Sequence, residues 1–377
     1  MADPFPREVY VAGVGMTAFG RHEGKRAAEF GQEAVVAALA DAGLDYSAVE
    51  IAYCGHVLQG STAGQKVLYG VGMTGIPIFN VENACASGTS AVRAAAMAVG
   101  SGMATVALAV GFEVMGRGAI PTGGDERLAG VGRAGVPALP ALFANLFREH
   151  AHRYGTTVEQ MAMVSVKNRA YGAKNARAQY HDPVTIDDVL ASREVAPPLR
   201  LLMCCPTTSG AAAAVITSAD VARATRRPMR MVASVLQSDP ALTGHDSLAG
   251  ITAINTRAMR TAYEQAGIGP DQLDCAEVHD CFAIAEIIHY ENLGLCARGE
   301  GGRFIEQGLA RARVQVSTSG GLLAKGHPLG ATGVAQVVEA VEQLRGESGE
   351  RQVPQARLAL THCQGFGGTA GVHIFAA

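Results

Sequence analysis

Hydrophobic and polar positions along the chain predict alternating strands and helices. Short apolar runs bounded by glycine or charged residues predict strands at 9–13, 49–54, 106–110, 210–218 and 229–236. A helix is predicted at 27–42, where apolar residues at positions 30, 34, 35, 38 and 39 recur with helical spacing before Gly43. Two more helices are predicted at about 139–154 and 158–171. This alternation is typical of an α/β protein.

One cysteine stands where a predicted helix begins. Cys85 is followed by small residues and an alanine-rich run to about Met97, and the predicted strand at 106–110 comes next. A thiol at a helix start faces free backbone N–H groups and the positive end of the helix dipole. We therefore expect the thiol pKa to lie below its reference of about 8.5. The alternative interpretation is a buried structural cysteine.

The chain also shows a weak internal repeat. The heptapeptide CASGTSA beginning at Cys85 aligns with HPLGATG beginning at His327, and each opens a predicted helix that a strand follows. We interpret this as two similar halves, 1–226 and 227–377, in which Cys85 and His327 occupy corresponding helix starts near the centre. An insertion in the first half spans about 117–206 and includes a Gly/Pro-rich loop at 120–140.

Composition excludes several classes of function. The chain has 377 residues, is 48% hydrophobic and carries a net charge of −3, which argues against disorder and against nucleic-acid binding. It contains no apolar run long enough to cross a membrane and no export signal, so we expect a cytoplasmic protein. The eight cysteines lack the CxxC spacing of metal sites, and we expect reduced thiols and no metal.

A dinucleotide fingerprint near the N-terminus is a weak signal. Residues 13–18 read G-x-G-x-x-A after a predicted strand that ends at Gly13 in a turn. The following residues, 21–25, are charged and typical of a loop, and no acidic residue ends a second strand at the required distance. We therefore do not assign nucleotide binding to this segment.

Four segments carry residues that can perform chemistry. They are NACASG at 83–88, HDCF at 279–282, GHPLGATG at 326–333 and CQGFGG at 363–368. Each follows a strand or opens a helix and offers a thiol or an imidazole. Any one of them is explained by structure alone, but the four together are difficult to explain without catalysis. The candidate residues are Cys85, His279, Cys281, His327 and Cys363.

In this order and at these distances the four segments resemble the thiolase superfamily, specifically its sterol-carrier-protein-type thiolases, over essentially the whole chain. CASG, GHPxGxxG and C-x-G are motifs of that superfamily, and HDCF marks the subgroup. The resemblance implies an α/β thiolase fold: two similar halves with mixed five-stranded sheets in an α-β-α-β-α layered body, with an inserted loop domain. The sequence ends at Ala377, so we expect no fused sterol-carrier domain.

The resemblance also implies roles for the candidate residues. Cys85 would attack a thioester or 3-ketoacyl carbonyl and hold the acyl group, and His327 would take its proton. Cys281, Cys363 or both would move the proton on the carbon α to the thioester. His279, with a water, would hold the thioester oxygen, and the backbone N–H groups of Cys85 and Gly365 would form a second oxyanion hole.

Ligands and partners follow from the same resemblance. Coenzyme A would act as a co-substrate, with acyl-CoA or acetyl-CoA as the other substrate and no resident cofactor. We place the CoA site on a basic lid, with solvated helix faces as the alternative reading of the same charges. A homodimer or tetramer is expected, and some relatives act with a small zinc-ribbon/OB-fold partner. The residues assigned to CoA are Arg148, Lys167, Arg169, Ser319 and Gly320.

Three other functions remain open from the sequence. Cys85, His279 and His327 also satisfy the Cys-His-His arrangement of decarboxylating ketoacyl synthases. A retro-aldolase acting on CoA-linked side chains is a second alternative, and a non-catalytic acyl-CoA or lipid-binding subunit is a third. The intact thiols and imidazoles favour an acyltransferase that makes or cleaves a carbon–carbon bond of 3-ketoacyl-CoA.

Overall fold

The computed structural model describes residues 4–116, 138–240, 247–308 and 312–377. Within them the strands are β1 (Val9–Met16), β2 (Ile51–Gly55), β3 (Ile78–Val81), β4 (Val106–Glu113), β5 (Glu194–Ala196), β6 (Leu199–Arg200), β7 (Gly210–Ser218), β8 (Met229–Ser238), β9 (Cys275–Glu277), β10 (Gln315–Val316), β11 (Leu358–Gly365) and β12 (Thr369–Ala376). The α-helices are α1 (Ala27–Ala42), α2 (Ala63–Leu68), α3 (Ser87–Gly100), α4 (Ala138–Tyr154), α5 (Val158–Gly172), α6 (Ile186–Ala191), α7 (Ala219–Ala222), α8 (Ser247–Ala266), α9 (Ala283–Asn292), α10 (Gly301–Glu306), α11 (Gly321–Ala324) and α12 (Thr332–Arg345).

The sheet has the same strand order in its two halves. The first half runs β3-β2-β4-β7-β1 and the second runs β10-β9-β11-β12-β8. In each half three parallel strands are followed by two antiparallel ones, so each is a mixed five-stranded sheet. The two first strands, β1 and β8, pair antiparallel over two residue pairs and join the halves. The expectation of two similar halves is confirmed, whereas the boundary at 226/227 stays a prediction.

Three hydrophobic clusters lie between the layers. One lies between α1 and the first half-sheet, and another packs α8 and α9 against the second half-sheet. The third surrounds α3 and α12 and includes apolar residues from β1, β7 and β8. Helix, sheet, helix pair, sheet and helix therefore follow one another, which confirms the expected α-β-α-β-α order.

The two central helices start in contact with each other. A Cβ on Gly333 would lie 2.3 Å from the backbone nitrogen of Thr89, and one on Gly88 would lie 2.6 Å from the carbonyl oxygen of Gly330. Only glycine permits this approach of two backbones. The glycines of the CASG and GHPLGATG segments thus bring the N-termini of α3 and α12 together.

The dinucleotide-like glycines belong to a strand. β1 continues through Gly13 and Gly15 to Met16, so the turn predicted at Gly13 is wrong. A Cβ on Gly13 would lie 2.3 Å from the carbonyl oxygen of Ala38, and one on Gly15 would lie 2.5 Å from that of Ala34. These glycines let α1 lie close to β1, which explains the pattern by packing.

The inserted region supplies α4, α5 and α6 and the short β5–β6 hairpin. Most of the Gly/Pro-rich loop predicted at 120–140 lies outside the described residues. Among the helices that are described, none combines the length and the apolar character that crossing a membrane requires.

Candidate active site

The turn that carries Cys85 is held in an unusual backbone conformation. Ala84 has a φ of 47°, a region that residues with a side chain rarely adopt. Its carbonyl oxygen accepts a hydrogen bond from Ser87 Oγ at 2.6 Å, and the Asn83 backbone N–H donates to the same hydroxyl at 2.9 Å. These bonds hold the strained turn that places Cys85 immediately before α3.

The thiol of Cys85 is neutral at rest. Cys85 is partly exposed, but protein atoms crowd its sulfur, and this desolvation raises its pKa to about 12. A backbone N–H of Phe366 acts in the opposite direction, and the nearby Glu113 carboxylate adds to the increase. The expectation that the helix start lowers this pKa is therefore wrong, because desolvation outweighs the backbone donors.

His327 is fixed in one tautomer by its neighbours. The buried Thr332 hydroxyl donates to the Pro328 carbonyl oxygen at 2.9 Å, so its oxygen accepts from His327 Nδ1–H at 2.7 Å. His327 Nε2 then carries a lone pair, and it is buried with no hydrogen-bond partner among the residues that the structure describes. Desolvation, with a smaller contribution from His279, holds the pKa of His327 well below its ordinary value. A neutral imidazole with a free acceptor nitrogen is suited to take a proton from a thiol.

The structure brings Cys85, His279 and His327 into one cavity. The Cys85 sulfur and one ring nitrogen from each histidine all lie within 4.8 Å of one another. The two imidazole rings are 5.0 Å apart between centroids and nearly perpendicular, at 81°. The two helix starts therefore deliver a thiol and an imidazole to the same point, with a second imidazole beside them. Thiol and imidazole atoms this close are also possible ligands for a metal ion.

Cys363 lies directly against this group. Its Sγ donates to the carbonyl oxygen of Cys85 at 3.0 Å and is 3.4 Å from His279 Nδ1. Cys363 is fully buried, and desolvation raises its thiol pKa well above the ordinary value. The same effect lowers the pKa of His279 to about 3, so this imidazole is neutral.

Cys281 lies near the Cys85 and Cys363 thiols and beside a further thiol, that of Cys205, which sequence reasoning missed. The backbone N–H of Cys205 donates to the carbonyl oxygen of Cys281 at 2.9 Å. Desolvation raises the pKa of both thiols, and each is raised further by interaction with the Cys85 thiol. The only sequence signal for Cys205 is its place in an adjacent pair with Cys204, and that pair carries no recognisable spacing.

Two backbone N–H groups act on the Cys85 sulfur: that of Phe366, one residue after the predicted Gly365, and that of Cys85 itself. Gly365 ends β11, and a Cβ there would lie 2.2 Å from the carbonyl oxygen of Asn83. Gly365 therefore permits β11 to approach the cysteine turn. The role of its own N–H in an oxyanion hole stays a prediction.

Glu113 is a second buried residue that sequence reasoning missed. It ends β4, is fully buried, and accepts 3.0 Å hydrogen bonds from the backbone N–H groups of Val57, Leu58 and Gly330 and a 2.6 Å bond from Gln59 Nε2. Desolvation raises its pKa, and these hydrogen bonds partly offset the increase. Glu113 thereby fixes the turn between His327 and α12. One acidic residue ending an otherwise apolar strand was the available signal.

Asp280 connects two of the four candidate segments. It lies between His279 and Cys281, and its carboxylate accepts from the backbone N–H groups of Leu322 at 2.7 Å and Leu323 at 3.3 Å. Desolvation and the nearby Glu286 raise its pKa to about 8. Since Leu322 and Leu323 belong to α11, which precedes His327, Asp280 ties the HDCF segment to the GHP segment.

Two of the predicted CoA contacts are already occupied within the fold. Lys167 forms a buried ion pair with Glu286 and also donates to the Val316 carbonyl oxygen at 2.9 Å. Arg169 donates to the Asp182 carbonyl oxygen at 2.9 Å, and its guanidinium lies 4.3 Å from the ring centre of Tyr180. Neither side chain forms part of an open basic surface, and their assignment to phosphate binding finds no support here.

Of the other residues predicted to contact CoA, one lies at the surface and two are buried. Arg148 is exposed and bonds to Asn145 Oδ1 at 2.8 Å and to the carbonyl oxygen of Pro197. Ser319 is fully buried and donates to Glu277 Oε2 at 2.5 Å, and the adjacent Gly320 is buried with a φ of 96°. Arg148 is thus the one predicted cation that keeps its head near solvent.

Comparison with known proteins agrees with this architecture. The family model described as "Thiolase, N-terminal domain" matches residues 9–220, and the one described as "Thiolase C-terminal domain-like" matches residues 236–377. An acetyl-CoA acetyltransferase of Methanothermobacter thermautotrophicus is 42% identical over 385 residues, covering 98% of this chain and 99% of that protein. Sterol carrier protein 2 of Rattus norvegicus is 39% identical over 390 residues, covering 97% of this chain and 71% of that protein.

Solved structures share the fold over the full length. The Ltp2-ChsH2(DUF35) aldolase superimposes with a TM-score of 0.83 at 27% identity, covering 99% of this chain and 98% of that chain. Human mitochondrial 3-ketoacyl-CoA thiolase in complex with CoA superimposes with a TM-score of 0.76 at 18% identity, covering all of both chains. At 18% identity, the similarity to the human thiolase shows a shared fold and nothing further.

Proposed function

Because this chain belongs to the thiolase family, we propose that it makes or cleaves a carbon–carbon bond of a 3-ketoacyl-CoA through an acyl-cysteine intermediate. The observation that carries the proposal is the convergence of the Cys85 sulfur with ring nitrogens of His279 and His327 within 4.8 Å. A thiol, a base and a further polar group around one point are what nucleophilic acyl transfer requires.

Attack and deprotonation are coupled in this site. Cys85 is a neutral thiol at rest, so its proton must leave as the sulfur approaches the carbonyl carbon. The lone pair on His327 Nε2 accepts that proton, and the hydrogen bond from Nδ1–H to Thr332 keeps the accepting nitrogen available. In the cleavage direction the sulfur bonds to the keto carbon, and the bond between that carbon and the thioester α-carbon breaks.

The α-carbon then needs a proton donor. The Cys363 thiol lies against the carbonyl of Cys85 and next to His279, which favours it over Cys281 for this step. The single S–H of Cys363 donates to the Cys85 carbonyl, so the neutral His279 donates its Nδ1–H to Cys363 Sγ and keeps a lone pair on Nε2. His279 would therefore hold the enolate oxygen through a water that donates one hydrogen to Nε2 and the other to that oxygen. Coenzyme A finally takes the acyl group from Cys85 and regenerates the free thiol.

A cleavage assay tests the assignment. Cys85→Ala should lower CoA-dependent cleavage of a 3-ketoacyl-CoA on the order of a thousandfold or more, because it removes the acyl carrier. Cys296→Ser, at a partly exposed thiol outside the catalytic set, is the matched control and should keep full activity. Incubation with an acyl-CoA should add one acyl mass to the peptide that contains Cys85. Full activity of Cys85→Ala would refute the mechanism.

Substrate, assembly and location belong to the same proposal. We take acyl-CoA and acetyl-CoA as substrates, a homodimer or tetramer as the working form, and the cytoplasm as the compartment. The names of the acetyl-CoA acetyltransferase and thiolase relatives support the first of these. The acyl chain accepted is the property to be measured with a substrate series.

A retro-aldolase reaction is the second candidate, favoured by the similarity to the Ltp2-ChsH2(DUF35) aldolase. It would cleave a 3-hydroxyacyl-CoA and would require a small partner of the DUF35 class. Adding such a partner to an inactive preparation of this chain, and measuring aldehyde or ketone release, distinguishes the two. Thiolase activity of the chain alone favours the first proposal.

A further inference from the structure

The three catalytic side chains also have the composition of a metal site. A cysteine sulfur and two histidine nitrogens, here Cys85, His279 and His327, are the ligand types that zinc and related borderline cations prefer. In the part of the chain that the structure describes, this is the group of thiol, imidazole and carboxylate atoms that converge closely enough to hold an ion. Nothing in the acyl-transfer chemistry requires a metal at this position.

Two observations point to a ligand beyond the mere proximity of the three. His327 is 2% exposed, and within the described ranges its Nε2 is buried without a hydrogen-bond partner. A nitrogen lone pair that is buried and unpartnered in a polar cavity is available to a cation. In addition, Cys85 remains partly exposed, which leaves an approach for the ion and for a water as fourth ligand.

Each histidine also has the outer partner that metal-binding histidines use. His327 Nδ1–H donates to Thr332 Oγ1 at 2.7 Å, and that hydroxyl is itself held by the Pro328 carbonyl oxygen at 2.9 Å. His279 Nδ1 is 3.4 Å from Cys363 Sγ. Such partners fix the ring and the tautomer and strengthen metal binding.

The distances are compatible with tetrahedral zinc after small rotations. Zinc bonds of about 2.0–2.3 Å to nitrogen and sulfur place neighbouring ligand atoms about 3.3–3.7 Å apart. The present atoms lie within 4.8 Å, so the side chains must close by about an ångström. The Cys85 sulfur accepts a hydrogen bond from the Phe366 backbone N–H, which the metal would replace or share. His279 Nδ1 faces Cys363, so His279 would bind the metal through Nε2, and His327 Nε2 has no hydrogen-bond partner among the described residues.

We propose that Zn²⁺, or another thiophilic divalent cation, binds reversibly to Cys85, His279 and His327 and blocks the site. In the binding step the S–H bond of Cys85 breaks, its proton passes to the buffer, and a sulfur–metal bond forms. No electron is transferred. Bound metal occupies both the sulfur lone pair needed for attack and the nitrogen lone pair needed to accept the proton, so binding and catalysis exclude each other.

Direct binding is tested with Co²⁺, because its absorption spectrum depends on the type and geometry of its ligands. Titration of the purified protein with Co²⁺ should produce tetrahedral d–d absorption together with a thiolate-to-metal charge-transfer band. Cys85→Ser should abolish the charge-transfer band, whereas Cys296→Ser should keep it. Persistence of that band in folded Cys85→Ser would overturn the proposal. This measurement needs no substrate, so its outcome is independent of the proposed reaction.

The Thr332 contact supplies a finer test. Thr332→Val keeps the shape of the side chain but removes the hydrogen-bond acceptor for His327, and should weaken Co²⁺ binding by about 10- to 100-fold. Thr332→Ser restores the hydroxyl and should restore most of the affinity. Equal Co²⁺ affinity in wild type and Thr332→Val would contradict binding through His327.

A third measurement uses the wild-type chain alone and avoids any folding defect in a variant. Zn²⁺ should protect Cys85 from iodoacetamide, read as the mass of its peptide, at least about tenfold relative to metal-free protein. Mg²⁺, a hard cation that prefers oxygen ligands, should give no protection. Unchanged labelling of Cys85 in the presence of Zn²⁺ would overturn the proposal.

Discussion

At the scale of single residues, the cavity is built to keep its groups uncharged. The thiol of Cys85 has a raised pKa, and the pKa values of His279 and His327 are lowered, in each case first through desolvation. A neutral thiol beside a neutral imidazole differs from the preformed ion pair that a helix start suggests. In the proposed mechanism, the neutral Cys85 thiol becomes nucleophilic only when His327 takes its proton during attack on a substrate carbonyl.

This electrostatic state predicts how Cys85 responds to pH. Folding raises the thiol pKa from 9.0 to about 12, so it favours the neutral form, and the associated stability is present below the unfolded value and lost as pH rises. Alkylation of Cys85, followed by mass spectrometry, should keep rising from about pH 8 to about pH 10 without a plateau. A plateau near neutral pH would mean that the thiolate is already present in the free protein.

Glu113 gives a second prediction at this scale. Glu113→Gln replaces a carboxylate that accepts four hydrogen bonds by an amide whose NH₂ group faces donors. We expect a loss of about 1–3 kcal/mol in the free energy of unfolding, measured by denaturant titration. Because the Glu113 charge raises the Cys85 pKa, alkylation of Cys85 should also become faster at a given pH. A stable variant with unchanged alkylation would show that Glu113 fixes neither the turn nor the thiol.

How far the site could be read from sequence differs between its residues. Cys85, His279, Cys281, His327 and Cys363 were predictable because motifs mark them, and the structure brings them together. Cys205 could not be predicted, because its place in the site depends on backbone pairing of residues 204–205 with residues 281–282, which are distant in sequence. The prediction that Lys167 contacts CoA met a related difficulty. Charge is visible in a sequence, but the buried Glu286 that neutralises Lys167 is 119 positions away.

At the scale of secondary structure elements, the spacing of apolar residues predicted helix bounds best where one face of the helix is buried. The predicted helix at 27–42 has the same bounds as α1. The end of β1 was misplaced, since glycine is common both in turns and where a helix lies close on a strand, and only the packed structure distinguishes the two.

The contact between α3 and α12 predicts the effect of a single methyl group. Gly333→Ala would place a Cβ 2.3 Å from the backbone nitrogen of Thr89, so the two helices must separate. We expect a loss of about 1–3 kcal/mol in stability and a larger fractional loss of activity, because Cys85 and His327 move apart. Gly116→Ala, where a Cβ meets no atom of the described residues within 4 Å, is the matched control. Equal thermal stability of the two variants would contradict this role of the helix contact.

At the scale of the whole molecule, one edge of the sheet carries unusually apolar surface. Strand β3 pairs only with β2 in the part of the chain described, and Phe79 on it is 50% exposed. Nearby, Tyr69 of the α2 end is 53% exposed and Met73 is 78% exposed. An open strand edge with apolar side chains favours self-association.

We therefore expect the proposed homodimer to form through β3. Phe79→Lys should shift the protein toward the monomer in light scattering coupled to gel filtration, because it places a charge on the strand edge. Met103→Lys, at a residue that is 73% exposed after α3, is the control and should leave the dimer intact. An unchanged dimer in Phe79→Lys would exclude this edge as the interface.

The repeated strand order was predictable only in outline. The seven-residue similarity between 85–91 and 327–333 suggested two halves, but the matching order of all ten strands depends on backbone pairing that short motifs do not encode. Long-range pairing such as that of β1 with β8 is invisible to local patterns.

The two five-stranded units meet where β1 pairs with β8 over only two residue pairs. The proposed nucleophile, Cys85, and its proposed base, His327, lie on different sides of this junction. Cys85 belongs to one five-stranded unit, whereas His279, His327 and Cys363 all belong to the other. Neither unit by itself would hold all the groups that the proposed mechanism needs, so we expect activity only after the last strands of the second unit have docked.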